Sequence, residues 1–177
     1  PDFSRDGTRL FFGTAPVPLP EDTTLFEDET AKLDVWNWQD PYLQTQQNKN
    51  VDRERKRTYL AAMDIAARTI RQLATLAVPT VTLANEGNAG TALGLSDVPY
   101  RRMISWENTG YNDLYLINVA TGAATRVMEK RKGTAAISPA GRYIFWYDQK
   151  SRHWHTMDVA TRAIARKPKG HSLSKAD

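Results

Sequence analysis

Three stretches of the sequence superimpose without gaps: LAAMDIAARTIRQL at 60–73, LYLINVATGAATRV at 114–127 and WHTMDVATRAIARK at 154–167. Each copy places a short acidic or amide residue in the same column, at Asp64, Asn118 and Asp158. Self-similarity at a period of about 40–50 residues is typical of a stacked or radial array of one supersecondary unit. The repeat therefore decides the fold.

A second repeat precedes the first and last copies, because SRDGTRLFF at 4–12 matches SPAGRYIFW at 138–146. Both begin with a turn of the pattern S-x-x-G and continue into an aromatic, β-branched run that is typical of strands. Ser and Asp side chains bond the turn backbone, Pro presets φ, and Gly supplies a positive φ. We assign these structural turn roles to Ser4, Asp6, Gly7, Ser138, Pro139 and Gly141.

Each unit then contains four strands: one before the S-x-x-G turn, one after it, and a terminal hairpin. Four-stranded units at this period are typical of propeller blades. We therefore predict an all-β fold, a partial β-propeller of about three four-stranded antiparallel blades. The predicted single segment 1–177 divides into blade one at 1–75 with an insertion at 15–57, blade two at 78–129, blade three at 133–167 and a polar tail at 168–177.

Three blades are too few for a ring, which normally needs ~4–8. The chain also lacks an initial Met, so we expect it to be a piece of a longer protein that supplies the remaining blades. An isolated arc exposes two apolar faces, so we expect self-association through the open blade edges. A stable monomer in light scattering would contradict this expectation.

The segment 59–77 is rich in Ala, Leu, Arg and Gln, and its propensity alone favours a helix. Its sister copies, however, carry Thr121-Gly122 and Thr161-Arg162 between alternating apolar runs, which is a hairpin signature. One repeat unit should have one structure, so all three copies are predicted as hairpins. The paired strands are 59–65 with 69–74, 113–119 with 123–129, and 153–159 with 163–167.

The insertion in blade one holds an aromatic run, Leu33 to Trp38, that alternates in polarity and is predicted to be a strand. The polar stretch 44–57 is predicted to be a mobile loop. Within the insertion, Trp36, Trp38 and Tyr42 are candidate ligand-binding residues that would form an aromatic platform. The alternative is that they pack against a neighbouring blade or an additional domain.

Blade two has a looser copy of the turn, at 93–99, which is predicted to lead into a strand at 102–106. Trp106, Trp146 and Tyr147 are then expected on blade strands as packing residues. The Gly-rich stretch 85–90 lacks the Lys-Ser/Thr of a phosphate loop and is interpreted as a connector between strands.

Composition excludes several classes of function. The 177 residues contain no Cys, which excludes disulfides and thiolate chemistry. The net charge of +4 is dispersed, so we expect no nucleic-acid partner. No run of ~18 apolar residues exists, so no membrane span is expected. The first residues also lack the basic segment followed by an apolar segment that marks a signal peptide, so no targeting signal is expected in this chain.

The strings SRDGTRLFFGTAP, LDVWNWQDPYLQTQQ and RKRTYLAAMDI, read together, resemble the N-terminal β-propeller of the prolyl oligopeptidase family, in particular its dipeptidyl-aminopeptidase-like serine peptidases. The run SPAGRYIFWYD is similar to the S-P-D-G turn of that propeller class. The resemblance implies remaining blades, an α/β-hydrolase domain and a peptide substrate as partners, in a periplasmic or secreted parent. The sequence departs from the family in three ways: it contains no hydrolase half, Ala140 replaces the turn Asp, and the paired Glu-Glu of true dipeptidyl peptidases is absent.

No catalytic residues are assigned and no cofactor is expected. Gly170 to Ser174 comes closest to the G-x-S-x-G of serine hydrolases, but Ser stands where the last Gly should be. His153 and His155 are weak metal candidates, since residues two apart share one face of a strand; the alternative is surface or edge-strand histidines. Asp64, Asn118 and Asp158 could line a channel, but are interpreted as caps of the turns that follow them.

Two functional hypotheses follow. The first is a non-catalytic propeller segment of an exported serine peptidase, which gates or positions peptide substrates for a hydrolase domain that lies outside this chain. The second is a stand-alone propeller that binds proteins or glycans and has no peptidase domain. Neither of these makes this chain an enzyme by itself; a third possibility, a metal-dependent enzyme that uses His153 and His155, would require a bound metal.

Overall fold

The computed structural model describes residues 1–18, 20, 24, 35–107 and 110–166. Over these residues the chain forms twelve strands in three four-stranded antiparallel sheets, each ordered as its strands occur along the chain. Sheet one contains β1 Asp2–Phe3, β2 Arg9–Thr14, β3 Tyr59–Asp64 and β4 Thr69–Gln72. Sheet two contains β5 Thr80–Thr82, β6 Thr91–Ser96, β7 Tyr111–Asn118 and β8 Ala124–Lys132. Sheet three contains β9 Ala135–Ile137, β10 Tyr143–Asp148, β11 His153–Asp158 and β12 Ile164–Arg166.

Two α-helices, α1 Gln44–Arg55 and α2 Ile104–Glu107, and two 3₁₀ turns, Asn85–Gly87 and Val98–Met103, complete the described elements. Three successive four-stranded meanders are the arrangement of propeller blades. The predicted all-β fold, a partial propeller of three four-stranded antiparallel blades, is confirmed.

The Ala-rich segment forms a hairpin, as the repeat predicted and local propensity did not. Strands β3 and β4 pair in register from Asp64 opposite Thr69 to Ala61 opposite Gln72. Ala61 and Ala62 are buried, so both faces of β3 meet neighbouring groups. Tertiary packing therefore outweighs the helix preference of these residues.

The repeated Asp/Asn column caps the three hairpin turns. The Asp64 carboxylate accepts the backbone N–H of Ala67 at 2.8 Å. The Asn118 side chain accepts two turn N–H groups at 2.9 and 3.1 Å, and the Asp158 side chain does the same at 3.0 and 2.9 Å. These bonds hold the pKa of Asp158 below its usual range, with the N–H of Thr161 as the largest cause. The structural interpretation of this column is confirmed.

The two S-x-x-G turns use the same bonds. The N–H of Gly7 donates to the Ser4 carbonyl at 2.8 Å, and the N–H of Gly141 donates to the Ser138 carbonyl at 2.8 Å. Both glycines have positive φ, at 70° and 75°, which side-chain-bearing residues rarely adopt. Asp6 adds bonds from Ser4 and Thr8 that Ala140 cannot supply in the third copy.

Sheet two is covered on both faces. One buried cluster lies between sheets one and two and consists of Phe11, Ala62, Leu73, Val78, Ala92, Ile117 and Val119. The other lies between sheets two and three and consists of Leu93, Leu114, Leu116, Ile144, Trp146 and Met157. Adjacent residues such as Ala92 and Leu93 point to opposite clusters because side chains alternate along a strand.

The two outer sheets keep one face open over the described residues. On sheet one, Phe3 and Ile70 are 66% and 56% exposed, and on sheet three Trp154 is 51% exposed. Trp154 contacts Phe145 and Tyr147 on the same open face, with ring centroids 6.3 and 5.5 Å apart. Self-association through these faces stays a prediction.

Two predictions about the insertion were wrong. The stretch predicted as a loop contains helix α1, because Gln, Arg, Lys and Glu favour helices and Glu54 bonds Arg57 at the end of the helix. The predicted strand Leu33 to Trp38 is not formed by its described residues, since 35–37 are irregular and Trp38 begins a turn. Leu33 and Asp34 lie outside the described residues.

The strand predicted at 102–106 in blade two was also wrong. The second strand of sheet two is β6, Thr91–Ser96, and the connector at 85–90 precedes it, as the sequence indicated. Asp97 and Pro99 end that strand, and the following residues coil into the 3₁₀ turn and α2. Trp106 is therefore not a packing residue: it is 84% exposed, whereas Trp146 is 4% exposed. Tyr147 lies on β10 but is 40% exposed.

Candidate ligand-binding groove

The insertion and the β6–β7 connection form a groove, which we call the aromatic groove. Its cavity volume is about 940 Å³. Its first wall is residues 36–44 and its second wall comes from the segment that carries Arg102, Ser105 and Trp106. The walls are far apart in sequence, so their contacts decide whether the groove has a fixed shape.

The second wall is anchored to sheet two by a buried hydrogen-bond network. Tyr100 and Asp113 are 8% and 0% exposed, and the Tyr100 hydroxyl donates to the Asp113 carboxylate at 2.5 Å. The same carboxylate oxygen accepts the Lys130 N–H at 2.8 Å. Arg126 donates to the second oxygen at 3.4 Å. Asp113 thus lies where the register between β7 and β8 shifts. Its carboxylate anchors the 3₁₀ turn Val98–Met103 to sheet two.

Burial, followed by the hydrogen bond to Asp113, raises the pKa of Tyr100 to about 12. The phenol therefore stays protonated over the whole neutral range. Its O–H remains a donor to a carboxylate that has lost contact with water.

Arg101 links the second wall to the first. It donates to the Asp97 carboxylate at 3.1 and 2.9 Å, and its guanidinium lies 5.6 Å from the centre of the Tyr42 ring. The Tyr42 hydroxyl lies 3.5 Å from the same carboxylate. Burial raises the pKa of Tyr42, with the Asp97 charge as the next cause. Tyr42 is therefore held in the wall.

Arg102 makes the second link. Its guanidinium lies 5.7 Å from the centre of the Trp38 ring, and it donates to the Trp38 carbonyl at 2.9 Å. Cation–π contacts of this kind contribute about 0.5–1 kcal/mol at exposed sites. Two consecutive arginines thus tie the two walls together.

Three indole rings line the groove and remain accessible. Trp36, Trp38 and Trp106 are 67%, 82% and 84% exposed. Two polar side chains of the first wall have partners within the chain: Asp40 accepts from Gln47 at 3.0 Å, and Asn37 accepts the N–H of Gln39 at 3.0 Å. The groove therefore presents mainly aromatic surface, together with the guanidinium of Arg102.

The structure brings together the three residues that the sequence singled out, Trp36, Trp38 and Tyr42, along one wall. Sequence reasoning missed Arg102 and placed Trp106 in the core. The available signal was the pair Arg101-Arg102 between Pro99 and Trp106, in a stretch without strand alternation.

The two histidine candidates lie on β11 and have other partners. The His155 ring stacks on Trp146 with centroids 5.7 Å apart, and it lies 3.3 Å from the Ser151 hydroxyl. His153 contacts the Ser151 carbonyl, and Arg166 lies 2.7 Å from its Nε2. No group of three His, Asp or Glu side chains that could hold a metal occurs within the described ranges. The Gly170 to Ser174 stretch lies outside the described residues.

Comparisons with known proteins do not identify a family. No family model and no curated protein matches the chain. Among solved structures, it is similar to TolB from Acinetobacter baumannii, with 13% sequence identity and a TM-score of 0.41. That similarity covers 94% of this chain and 31% of the TolB chain. In the part of the chain that the structure describes, no helix combines the length and apolar character needed to cross a membrane.

Proposed function

We propose that this chain is a non-catalytic, ligand-binding segment of a β-propeller, and that its aromatic groove binds an extended peptide. The resemblance to the prolyl oligopeptidase family supports a more specific role, in which the segment gates or positions peptides for an α/β-hydrolase domain. In that role the parent is an exported serine peptidase, periplasmic or secreted.

The observation that carries the proposal is the exposure of three Trp side chains around one groove. Large apolar side chains are normally buried, and a concentrated exposed patch marks an interaction site. One of these rings, that of Trp38, contacts the Arg102 guanidinium, and the adjoining Tyr42 ring contacts Arg101. A wall fixed in advance loses little conformational entropy when a ligand binds.

A peptide fits the groove better than a sugar does. A glycan presents many hydroxyl groups, and each needs a polar partner when it is buried. One oxygen of Asp40 already accepts from Gln47 of α1, and the side-chain oxygen of Asn37 already accepts from the Gln39 N–H. Exposed rings match the apolar side chains of a peptide.

Titration of the intrinsic Trp fluorescence with blocked hexapeptides tests the proposal. We expect saturable binding that Trp38→Ala and Trp106→Ala each weaken by about tenfold, since an aromatic contact contributes about 0.5–1.5 kcal/mol beyond burial. Trp154→Ala is the matched control, because Trp154 is exposed on sheet three and does not line the groove. Failure of every peptide to bind, or equal loss in the control, would contradict the proposal.

The proposed association with a hydrolase domain is tested separately, by the reading frame of the parent protein. A G-x-S-x-G motif downstream in the reading frame of the parent protein supports the peptidase role. A stop codon immediately after this segment supports the second candidate, a stand-alone protein- or glycan-binding propeller. The exposed indoles favour that candidate too, because aromatic rings can stack on apolar ligand faces. An oligosaccharide that competes with peptide for the groove would favour it further.

A further inference from the structure

Two consecutive arginines of the aromatic groove differ in their partners. Arg101 is neutralised by Asp97 through two hydrogen bonds of 2.9 and 3.1 Å. Arg102 forms no ion pair among the described residues, although it lies one position further along the same turn. One guanidinium in the groove therefore keeps an uncompensated charge.

The Arg102 guanidinium is also held in a fixed position. It lies over the Trp38 ring at 5.7 Å and donates once to the Trp38 carbonyl at 2.9 Å. A guanidinium has five N–H donors in a planar fork, so most of them remain for a ligand. Because the fork is already oriented, little rotamer entropy is lost when it binds a carboxylate in bidentate fashion.

The acidic groups around Arg102 do not compete for it. Asp40, the one carboxylate among the residues that line the described groove, accepts from Gln47 at 3.0 Å. Glu54, on the helix that follows the first wall, is bonded twice to Arg57, at 2.6 and 2.5 Å. The Arg102 guanidinium therefore has no ion-pair partner among the described residues, and its own charge complements an anionic group on the ligand.

We propose that Arg102 recognises a carboxylate of the bound peptide, while apolar side chains of the peptide contact Trp36 and Trp106. This inference rests on the proposed peptide-binding function and names its substrate class: acidic peptides with an adjoining aromatic or aliphatic residue. The carboxylate belongs to an Asp or Glu side chain or to a free C-terminus, which share the same chemistry.

Three matched probes distinguish these sources. The first is acetyl-Ala-Phe-Glu-Ala-Phe-amide, the second replaces its Glu by Gln, and the third is the Gln peptide with a free C-terminus. Calorimetric titration should show the Glu peptide, the free-terminus peptide or both binding at least about tenfold more tightly than the neutral peptide, as expected for charge-assisted bonds. The preference should decrease as salt is raised, because the charged pair is exposed.

Variants assign the preference to one residue. Arg102→Gln should remove the difference between the Glu and Gln peptides, and Arg102→Lys should retain part of it because the charge remains without the fork. Arg71→Gln is the matched control, since Arg71 is an exposed arginine on β4 outside the groove. Thermal unfolding of each variant checks that the fold is intact.

The outcomes separate the two proposals. If the neutral and acidic peptides bind equally well, the carboxylate inference is wrong while peptide binding stands. If no peptide binds, the proposed function itself is wrong. If a uronate-containing oligosaccharide binds in an Arg102-dependent way and the peptides do not, the ligand is an acidic glycan, and the peptide assignment is overturned.

Discussion

Two tryptophan–arginine pairs in this molecule use the same contact in opposite surroundings. Arg131 lies 4.9 Å from the centre of the Trp146 ring, and Arg102 lies 5.7 Å from the centre of the Trp38 ring. Trp146 is 4% exposed, between sheets two and three, whereas Trp38 is 82% exposed in the aromatic groove. The same chemistry thus supports the core in one region and leaves a surface for a ligand in the other.

The buried pair of Arg131 and Trp146 carries a desolvation cost. Desolvation lowers the pKa of the Arg131 guanidinium, and its Nε is buried without a hydrogen-bond partner in the described structure. The outer pair has no such cost, because Arg102 is exposed to solvent. Stability therefore resides in the inter-sheet layer, and the groove can change with little effect on the fold.

The largest effect should follow from removal of the inner ring. We expect Trp146→Ala to destabilise the fold by about 4 kcal/mol, through lost burial and the resulting cavity. Trp38→Ala should cost less than about 0.5 kcal/mol, as for most surface changes. Urea unfolding of both variants measures the difference, and similar losses would show that the two rings contribute equally to stability.

Asp113 should affect both regions, because it belongs to sheet two and anchors the second wall of the groove. Asp113→Ala leaves the Tyr100 hydroxyl and the Lys130 N–H without their shared acceptor, and should cost about 3 kcal/mol. Peptide binding measured at a temperature where the variant remains folded should also weaken. Asp113→Asn, which retains an acceptor oxygen, should lose less of both; a variant with normal binding and lower stability would show that the wall does not need this anchor.

The same network predicts a dependence on alkaline pH. The pKa of Tyr100 rises from a usual value of about 10 to about 12 in the folded chain, so between these values the unfolded chain loses a proton that the folded chain keeps. This contribution to stability is complete below pH 10 and is lost as the pH rises towards 12. Urea unfolding at pH 8 to 11 should show a steeper fall for the native chain than for Tyr100→Phe, which has no such group to titrate. Parallel curves would contradict the assignment.

A smaller effect than that of Asp113→Ala should come from a hairpin cap that touches neither region. Asn118→Ala removes two bonds to turn N–H groups and should cost about 1 kcal/mol without changing peptide affinity. Asn118→Asp keeps the acceptor and reproduces the residue found at the sister positions, so its stability should stay near that of the native chain. A loss of binding in Asn118→Ala would mean that the blades and the groove are coupled.

The repeated parts of the fold could be predicted because three copies constrain one another. The column of Asp64, Asn118 and Asp158 located the turns, and it outweighed the helix propensity of 59–77. The three terminal hairpins followed from that column, whereas the second strand of sheet two, which has only a loose copy of the S-x-x-G turn, was misplaced. No comparable constraint exists for α1 or for the 98–107 segment, which occur once.

The groove could be predicted only in part for the same reason. Trp36, Trp38 and Tyr42 stand together in sequence and could be chosen as a possible platform. Arg102 and Trp106 join them only because Tyr100 is fixed to Asp113 and the chain turns back over sheet two. Contacts of this kind depend on long-range packing, which no local pattern encodes.

The placement of the insertion also has a consequence for how the chain folds. Strands β10 and β11 are separated by residues 149–152, β6 and β7 by 97–110, and β2 and β3 by 15–58. Closing a longer loop costs more entropy, and contacts distant in sequence form more slowly. Sheet three should therefore close first and sheet one last. During synthesis, the blade that leaves the ribosome first is then the last to be completed, and Phe11 stays exposed until β3 and sheet two have emerged to cover it.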